Sequence, residues 1–221
     1  MVEVDSNNSA LIQATRYLVR KVILFMVISL DGFIGGPKGE LDWEVRDEEV
    51  SRYLVGDLLS TLDTLLLGRV LYQVFRQAWP AMASNPSSPK ELVDFAHWIE
   101  DSPKIVFSTT LSEAEWKNSR LVSVKGDDDI REEVTRLKQQ PGGDMVVFGG
   151  ARFAQTLIQL GLLDEYRLKL QPVALGSGLP LFKDVRDRRS LDLVKSQVFK
   201  SGVVALYYQP ARQHDSLPTS R

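Results

Sequence analysis

Short apolar runs rich in β-branched residues alternate with amphipathic stretches along most of the chain, and this alternation predicts its elements. Lys21 to Ser29, Thr64 to Leu67, Lys104 to Ser108, Arg120 to Val124 and Asp144 to Phe148 carry the pattern of buried strands. Between them, Val50, Tyr53, Leu54 and Leu58 recur at helical spacing, as do Ile130, Val134 and Leu137, then Phe153, Leu157 and Ile158. Each set forms one apolar stripe on a helix, and Glu91 to Glu100 reads as another helix. Such alternation predicts a mostly parallel sheet with right-handed crossovers and helices on both faces. The last third changes character. Glu165 to Gln171, Leu191 to Phe199 and Val203 to Gln209 read as three strands, the last two joined by Lys200-Ser201-Gly202, which suits a tight hairpin. The expected fold is therefore a three-layer α/β/α sandwich whose central sheet is mixed, with an antiparallel C-terminal edge. It occupies one domain over residues 21–209, between polar tails at 1–20 and 210–221, and Pro80 to Lys90 reads as a loop.

Composition narrows the chemistry. The 43% hydrophobic and 25% charged residues are those of an ordinary globular domain, and a formal charge of -2 offers no general attraction to a phosphate backbone, so nucleic acid is not an expected partner. The chain has no cysteine, which removes disulfides, thiolate metal sites and cysteine nucleophiles; His97 and His214 are too few for a histidine-rich site. No metal is expected. Arg20 and Lys21 before the apolar run Val22 to Ile28 resemble the start of a secretory signal, but the run is too short to span a bilayer and lacks a small-residue cleavage pattern. A cytoplasmic setting without membrane attachment is expected.

Candidate chemistry gathers at three strand ends, where an open α/β sheet places its ligands. Phe148-Gly149-Gly150 follows one strand and opens a helix, so that backbone N–H groups and the helix dipole are available to a phosphate. Gly68-Arg69 follows Leu65-Leu66-Leu67 in the same way, and Ser108-Thr109-Thr110 ends a third strand. A Gly-Gly pair also serves any tight turn, and a lone arginine can equally belong to a surface ion pair. Neither Gly-x-Gly-x-x-Gly at a strand-to-helix turn nor Gly-x-x-x-x-Gly-Lys-Ser/Thr occurs, which excludes a Walker-type ATPase.

Taken in order, these segments resemble the dihydrofolate-reductase-like family. Ser29-Leu30-Asp31-Gly32-Phe33-Ile34-Gly35 is similar to its first strand and the start of its active-site loop, which would end at Trp43. Leu67-Gly68-Arg69 resembles its Gly-Arg turn, and Val147-Phe148-Gly149-Gly150-Ala151 its Gly-Gly turn beneath a pyrophosphate. Asp164-Glu165-Tyr166 to Pro172-Val173, then Gly176-Ser177-Gly178-Leu179-Pro180-Leu181-Phe182, is closest to the C-terminal reductase domain of the bifunctional deaminase-reductase of bacterial riboflavin biosynthesis, here standing alone. The resemblance covers about residues 21 to 209.

It implies an NADPH-dependent oxidoreductase acting on a small heterocycle, with 5-amino-6-(5-phosphoribosylamino)uracil as the leading substrate and dihydrofolate or another pterin as the alternative. Ile34, Gly35, Gly68, Arg69, Ser108, Thr109, Lys125, Gly149, Gly150 and Ala151 would hold the cofactor, and Asp31 and Glu48 would serve the chemistry. Two of these assignments have structural counterparts. Asp31-Gly32 is a common turn pair, and Glu48, flanked by Asp47 and Glu49, is equally a helix-start acid. In place of the Asp-Pro-x-Leu-Thr-x-Arg substrate segment of the riboflavin-pathway reductases, this chain reads Val70 to Pro80, which keeps open a noncatalytic nucleotide-binding or dimerisation module. Zinc-dependent deamination is not expected without cysteine. A homodimer is expected from the resemblance and from the apolar strand Val203 to Tyr208, which would otherwise form an exposed edge.

Overall fold

The computed structural model describes residues 19–85, 87–185 and 188–211. Most of both expected tails, with His214, lies outside these residues. Arg20, read from the sequence as the last residue of the N-terminal tail, is instead buried: it bonds Asp63, Thr64 and the Gly143 carbonyl.

The elements run β1 (Val22–Ile28), α1 (Glu48–Leu59), β2 (Leu62–Gly68), α2 (Arg69–Ala83), α3 (Lys90–Asp101), β3 (Lys104–Ser108), β4 (Ser119–Ser123), α4 (Asp127–Lys138), β5 (Asp144–Val147), α5 (Ala151–Leu160), β6 (Glu165–Leu170), β7 (Leu191–Val198) and β8 (Val204–Pro210). They build one eight-stranded sheet in the order β4–β3–β2–β5–β1–β6–β8–β7. Neighbours from β4 through β6 are parallel, while β8 is antiparallel to both β6 and β7. The fold is the three-layer sandwich read from the sequence.

Alternation along β1 shows how the layers form. Val22, Leu24, Met26 and Ile28 face α4 and α5, which contribute Ile130, Val134, Phe153, Leu157 and Ile158 to the same core. Ile23 faces the other way, into a second core completed by Tyr72 of α2 and by Phe95 and Ile99 of α3. Strands covered on both sides read as continuous apolar runs, which is why β1, β2, β3 and β5 were legible. The third helix on this face, α1, lies over β8 through Val50 and Leu54 against Val203, Ala205 and Tyr207.

Two details differ from the sequence reading. α2 continues through Pro80 to Ala83 where a loop was expected. Proline there removes only the bond to the Arg76 carbonyl, within the last turns, where a helix loses least. The apolar strand Val203 to Tyr208 is not an edge: β8 is paired on both sides, and β7 is the outer strand. The Lys200-Ser201-Gly202 segment does make a tight hairpin turn, with Gly202 at φ +84.

A buried polar network docks α1. Asp57 of α1 accepts from Arg167 Nη1 at 2.9 Å and from the Tyr207 hydroxyl at 3.1 Å, and pairs with Lys195 at 3.3 Å. Arg167 also donates to Glu165 at 2.7 Å. Burial raises the Tyr207 phenol above its ordinary range and keeps it a donor to Asp57.

A second clamp fixes the strand ends that carry the loops. Asp31, just past β1, accepts from the Ser29 hydroxyl at 2.6 Å, from Leu175 N at 3.1 Å and from Gly176 N at 2.7 Å. The Ser29 hydroxyl first, then the Gly176 amide, lowers its carboxyl to about 2. Ile34 N donates to the Leu179 carbonyl and Leu179 N to that of Gly35, so the loop after β1 and the loop after β6 form one unit.

Removing Asp57 should leave the buried Arg167 with Glu165 as its remaining carboxylate partner and the Tyr207 hydroxyl without its acceptor, and Asp57→Ala is expected to lower unfolding free energy by about 2 kcal/mol, measured by urea denaturation, with Asp57→Asn costing less. A change under about 0.5 kcal/mol would show that the network contributes little. The Asp31 clamp has a defined pH window. Its folded pKa lies below the unfolded value, so the clamp acts fully above the ordinary carboxyl pKa of 3.8 and is lost as pH falls through about 2. Near neutral pH, Asp31→Ala should therefore accelerate amide hydrogen exchange at Leu175 and Gly176, whereas equal exchange in both proteins would remove its anchoring role.

Candidate functional site

Parallel strands deliver their βα turns to one edge of the sheet, and here three of those turns enclose a cleft of about 460 Å³. That volume falls within the range of small-molecule sites. Its walls are Gly68 to Leu71 after β2, Phe107 to Thr109 after β3, and Gly150 to Phe153 after β5; Val124, Ile130, Thr156 and Leu179 complete it.

The local backbone explains the glycines. Gly149 and Gly150 sit at φ +122 and +76, in the half of conformational space that side chains avoid, and this lets the chain turn directly from β5 into α5. A Cβ on Gly68 would approach Phe153 Cβ to 3.0 Å, so glycine there lets the starts of α2 and α5 approach each other closely.

The helix starts differ in charge and capping. α1 begins under the Asp47 cap with Glu48 and Glu49 in its first turn, and α4 begins with Asp127, Asp128 and Asp129. Asp129 accepts from Lys125 N and Gly126 N, which lowers its carboxyl below the ordinary range. α2 and α5, the two helices that start on the cleft, have glycine at the N-cap, as α4 does, but neither a capping box nor an acid in the first turn. Each carries an exposed arginine there instead, Arg69 and Arg152. Two sets of uncapped N–H groups and two guanidiniums thus face one cavity, an arrangement suited to a multiply charged anion.

Six residues singled out in the sequence line this cleft: Gly68, Arg69, Ser108, Thr109, Gly150 and Ala151. Gly149 lies just behind its wall over Met26. Ile34 and Gly35 are one layer back, joined to the cleft by their hydrogen bonds to Leu179. Lys125 is exposed one residue beyond Val124, at the rim. The Ser108 hydroxyl accepts from Thr110 N and Leu111 N, which holds the turn and leaves its own hydrogen to donate.

Asp31 and Glu48 belong to a neighbouring part of the same sheet edge, beside the ends of β1 and β6. Asp31 is committed to its clamp. Glu48 is exposed at the first position of α1 and makes no hydrogen bond or ion pair among the described residues. The segment leading to it crosses the end of β6, where Lys169 pairs with Glu44 at 2.7 Å and the buried Gln171 accepts from Val45 N at 2.9 Å.

Sequence reasoning did not single out Arg152 or Leu179 as site residues. A basic residue directly after Gly-Gly-Ala, with no acid in the turn, was a usable signal for Arg152. Leu179 lies far along the chain from the other walls, and its pairing with Ile34 and Gly35, together with the bond from Gln155 of α5 to the Pro180 carbonyl, brings it there. Among the described residues no cluster of three or more histidine, cysteine or acidic side chains is arranged for a metal, and no helix is long and apolar enough to cross a membrane.

Comparison with known proteins agrees with this geometry. The solved structure of a riboflavin biosynthesis protein from Shewanella sp. PV-4, described as putative in its own name, superimposes with a TM-score of 0.63 at 24% identity, covering 87% of this chain and 99% of that one. The deaminase/5-amino-6-(5-phosphoribosylamino)uracil reductase of Thermotoga maritima matches with a TM-score of 0.62 at 18% identity, over 90% of this chain and 59% of the larger protein. Dihydrofolate reductase from Enterococcus faecalis, solved with NADP(H), matches at 0.53 and 17%, over 87% and 97%. These likenesses concern the fold. In sequence, the uncharacterized Bacillus subtilis (strain 168) protein YyaP is 40% identical over 189 residues, 86% of this chain and 94% of YyaP. YwjB of the same organism, also uncharacterized, is 28% identical over 85% of this chain and 97% of its own. The model of the RibD C-terminal domain matches residues 20–205, and the chain belongs to that family.

Proposed function

We propose that this protein is an NADPH-dependent reductase of a small heterocycle in a cytoplasmic setting, and that the cleft between α2 and α5 receives the cofactor. The observation that carries the reading is the contrast between helix starts. The two that open on the cleft lack caps and acids and carry Arg69 and Arg152, whereas α1 and α4 begin with acids. A dinucleotide needs such a cradle for its pyrophosphate, with glycines that admit close backbone approach.

In this reading the amides of Gly150 and Ala151, above the Gly149 turn, hold the pyrophosphate. Gly68 and Arg69, with Ser108, Thr109 and the rim residue Lys125, hold the adenosine ribose and its 2′-phosphate. Ile34 and Gly35, fixed through Leu179, form the wall nearest the substrate. The bound cofactor supplies the hydride. The chain's own work is orientation and exclusion of water by the Asp31 to Trp43 loop, which can lower a barrier by several kcal/mol. Asp31 keeps that loop in register with the loop after β6. Glu48, with its carboxylate unengaged beside the end of β6, holds the substrate ring and supports its protonation.

The leading substrate is of the 5-amino-6-(5-phosphoribosylamino)uracil class, supported by membership in the RibD C-terminal domain family. A pterin is the second reading, supported by Glu48 in the first turn of α1. The acting unit is a homodimer.

Charge-assisted hydrogen bonds to a phosphate contribute about 1.5–3 kcal/mol each, so NADPH should bind at least tenfold more tightly than NADH. Fluorescence titration of both cofactors tests this, and the Arg69→Ala, Lys125→Ala double variant should lose most of the preference. Equal dissociation constants, or an undiminished preference in the double variant, would sink the assignment. Loss of NADPH absorbance with an aminopyrimidine ribotide or with dihydrofolate separates the two substrate readings, and tight binding without turnover of either would favour a noncatalytic module.

A further inference from the structure

A buried side-chain donor without an acceptor costs free energy, so each such group in a fold needs an explanation. Four buried side-chain atoms have no hydrogen-bond partner among the described residues: Tyr53 Oη, Ser119 Oγ, Gln171 Nε2 and Ser201 Oγ. Three are hydroxyls, which rotate to suit their surroundings. Ser201 lies close enough to Asp47 to lower its carboxyl, Tyr53 has Lys195 over its ring, and Ser119 starts β4, on the sheet edge opposite the cleft. Gln171 Nε2 is different. It is a carboxamide nitrogen with two hydrogens, on a residue that has no exposed surface. Its orientation is fixed as well: the Val45 amide can only donate, so the carboxamide gives its oxygen to Val45 N at 2.9 Å and its nitrogen is left over.

The place of Gln171 in the sheet indicates a use for that nitrogen. Its own amide donates to the Ile28 carbonyl, so it stands where β1 and β6 both end, on the edge that carries the cleft. Arg167, Lys169 and Gln171 share the face beneath α1 and its leading segment, through contacts with Asp57, Glu44 and Val45. Farther in on that face the helices leave Phe25, Val27 and Phe148 only half-buried, with the two phenylalanine rings 5.8 Å apart, edge to face. Val27 pairs in register with Lys169. Such a floor suits a flat ring. Two buried donors stand beside it, Gln171 Nε2 and Lys169 Nζ, and among the described residues Lys169 spends one of its three hydrogens, on Glu44 at 2.7 Å. A ring edge that meets these donors must carry acceptors.

We infer that Gln171 is a specificity-determining residue of this site, donating from Nε2 to a ring carbonyl oxygen of the substrate while Lys169 donates to a second oxygen on the same ring. A ring with two carbonyls satisfies both donors. One with amino groups at those positions sets donor against donor, which a buried site rejects strongly. Because the Gln171 oxygen stays on Val45, the same carboxamide ties the bound ring to the segment that carries Glu48. That segment lifts to admit the ring and settles again over the occupied site. The purpose given to the contact rests on the reductase reading above; the contact itself needs no NADPH.

The probe is 5,6-diaminouracil, which has two ring carbonyls, and the comparison is 2,4-diaminopyrimidine, which has amino groups instead. In ¹H–¹⁵N spectra recorded with and without NADPH, the assigned side-chain N–H pair of Gln171 should shift as 5,6-diaminouracil is added and stay in place with 2,4-diaminopyrimidine. Gln171→Glu keeps an acceptor for Val45 N and replaces the donor with an acceptor, so it should bind 5,6-diaminouracil at least about tenfold more weakly than the unmodified protein. Gln171→Met removes both groups and should weaken the probe similarly. Undiminished probe affinity in either folded variant overturns the inference. So does failure of 5,6-diaminouracil to bind, or a Gln171 pair that does not move at saturation, and neither of these readings requires a variant to fold. NADPH affinity is scored separately: a protein that shows the Gln171 shift but does not bind NADPH contradicts the reductase reading and leaves the contact standing.

Discussion

A helix leaves the N–H groups of its first turn without partners inside the helix, and a parallel sheet gathers such helix starts along one edge. Every donor gathered there must meet a side chain, water or ligand. α1 meets the requirement internally through Asp47, which accepts from Glu49 N and Val50 N, and the turn into α4 is closed by Asp129 on the Lys125 and Gly126 amides, with three acids at that helix start. α2 and α5 have neither arrangement, and Gly68 brings their starts close together. The anion-binding role proposed for the cleft rests on that difference, since its lining holds both arginines and no acidic side chain.

The far side of the sheet obeys a second electrostatic constraint. β6 buries two cations on the face beneath α1, and each is paired there: Arg167 with Asp57 and Glu165, Lys169 with Glu44. Unpaired, such charges would be costly in that environment. Pairing them fixes the position of α1 and of the segment that carries Glu48. The same alternation turns Tyr166, Leu168 and Leu170 to the opposite face, into the core that α4 and α5 share. One strand's polar pattern thus bears both on the site and on the core behind it.

Much of this was legible in the sequence because burial on both faces leaves continuous apolar runs, as in β1, β2, β3 and β5, and because glycine at a strand end marks backbone that other residues avoid. What escaped depended on contacts distant along the chain. Pro80 reads as a breaker, although a helix already near its end tolerates it. The alternation in Glu165 to Gln171 identified a strand without saying which side would be covered, since that depends on Asp57 and Glu44, more than a hundred residues earlier. Val203 to Tyr208 was read as the edge because a hairpin pattern does not state which of its strands pairs inward. Leu179 reaches the cleft through its bonds with Ile34 and Gly35 and through the bond from Gln155 to the Pro180 carbonyl, contacts remote in sequence.

The central claim is that the uncapped starts of α2 and α5 bind the phosphates of a nicotinamide dinucleotide. It is tested most directly by following backbone amide resonances of the ¹⁵N-labelled protein during addition of NADPH. The account predicts that the largest shifts fall on Arg69, Val70, Ala151 and Arg152, with Glu49, Val50 and Gly126, whose amides are already bonded to Asp47 or Asp129, nearly unchanged. Shifts centred on α1 or α4, or none at the starts of α2 and α5 at saturating cofactor, would contradict it.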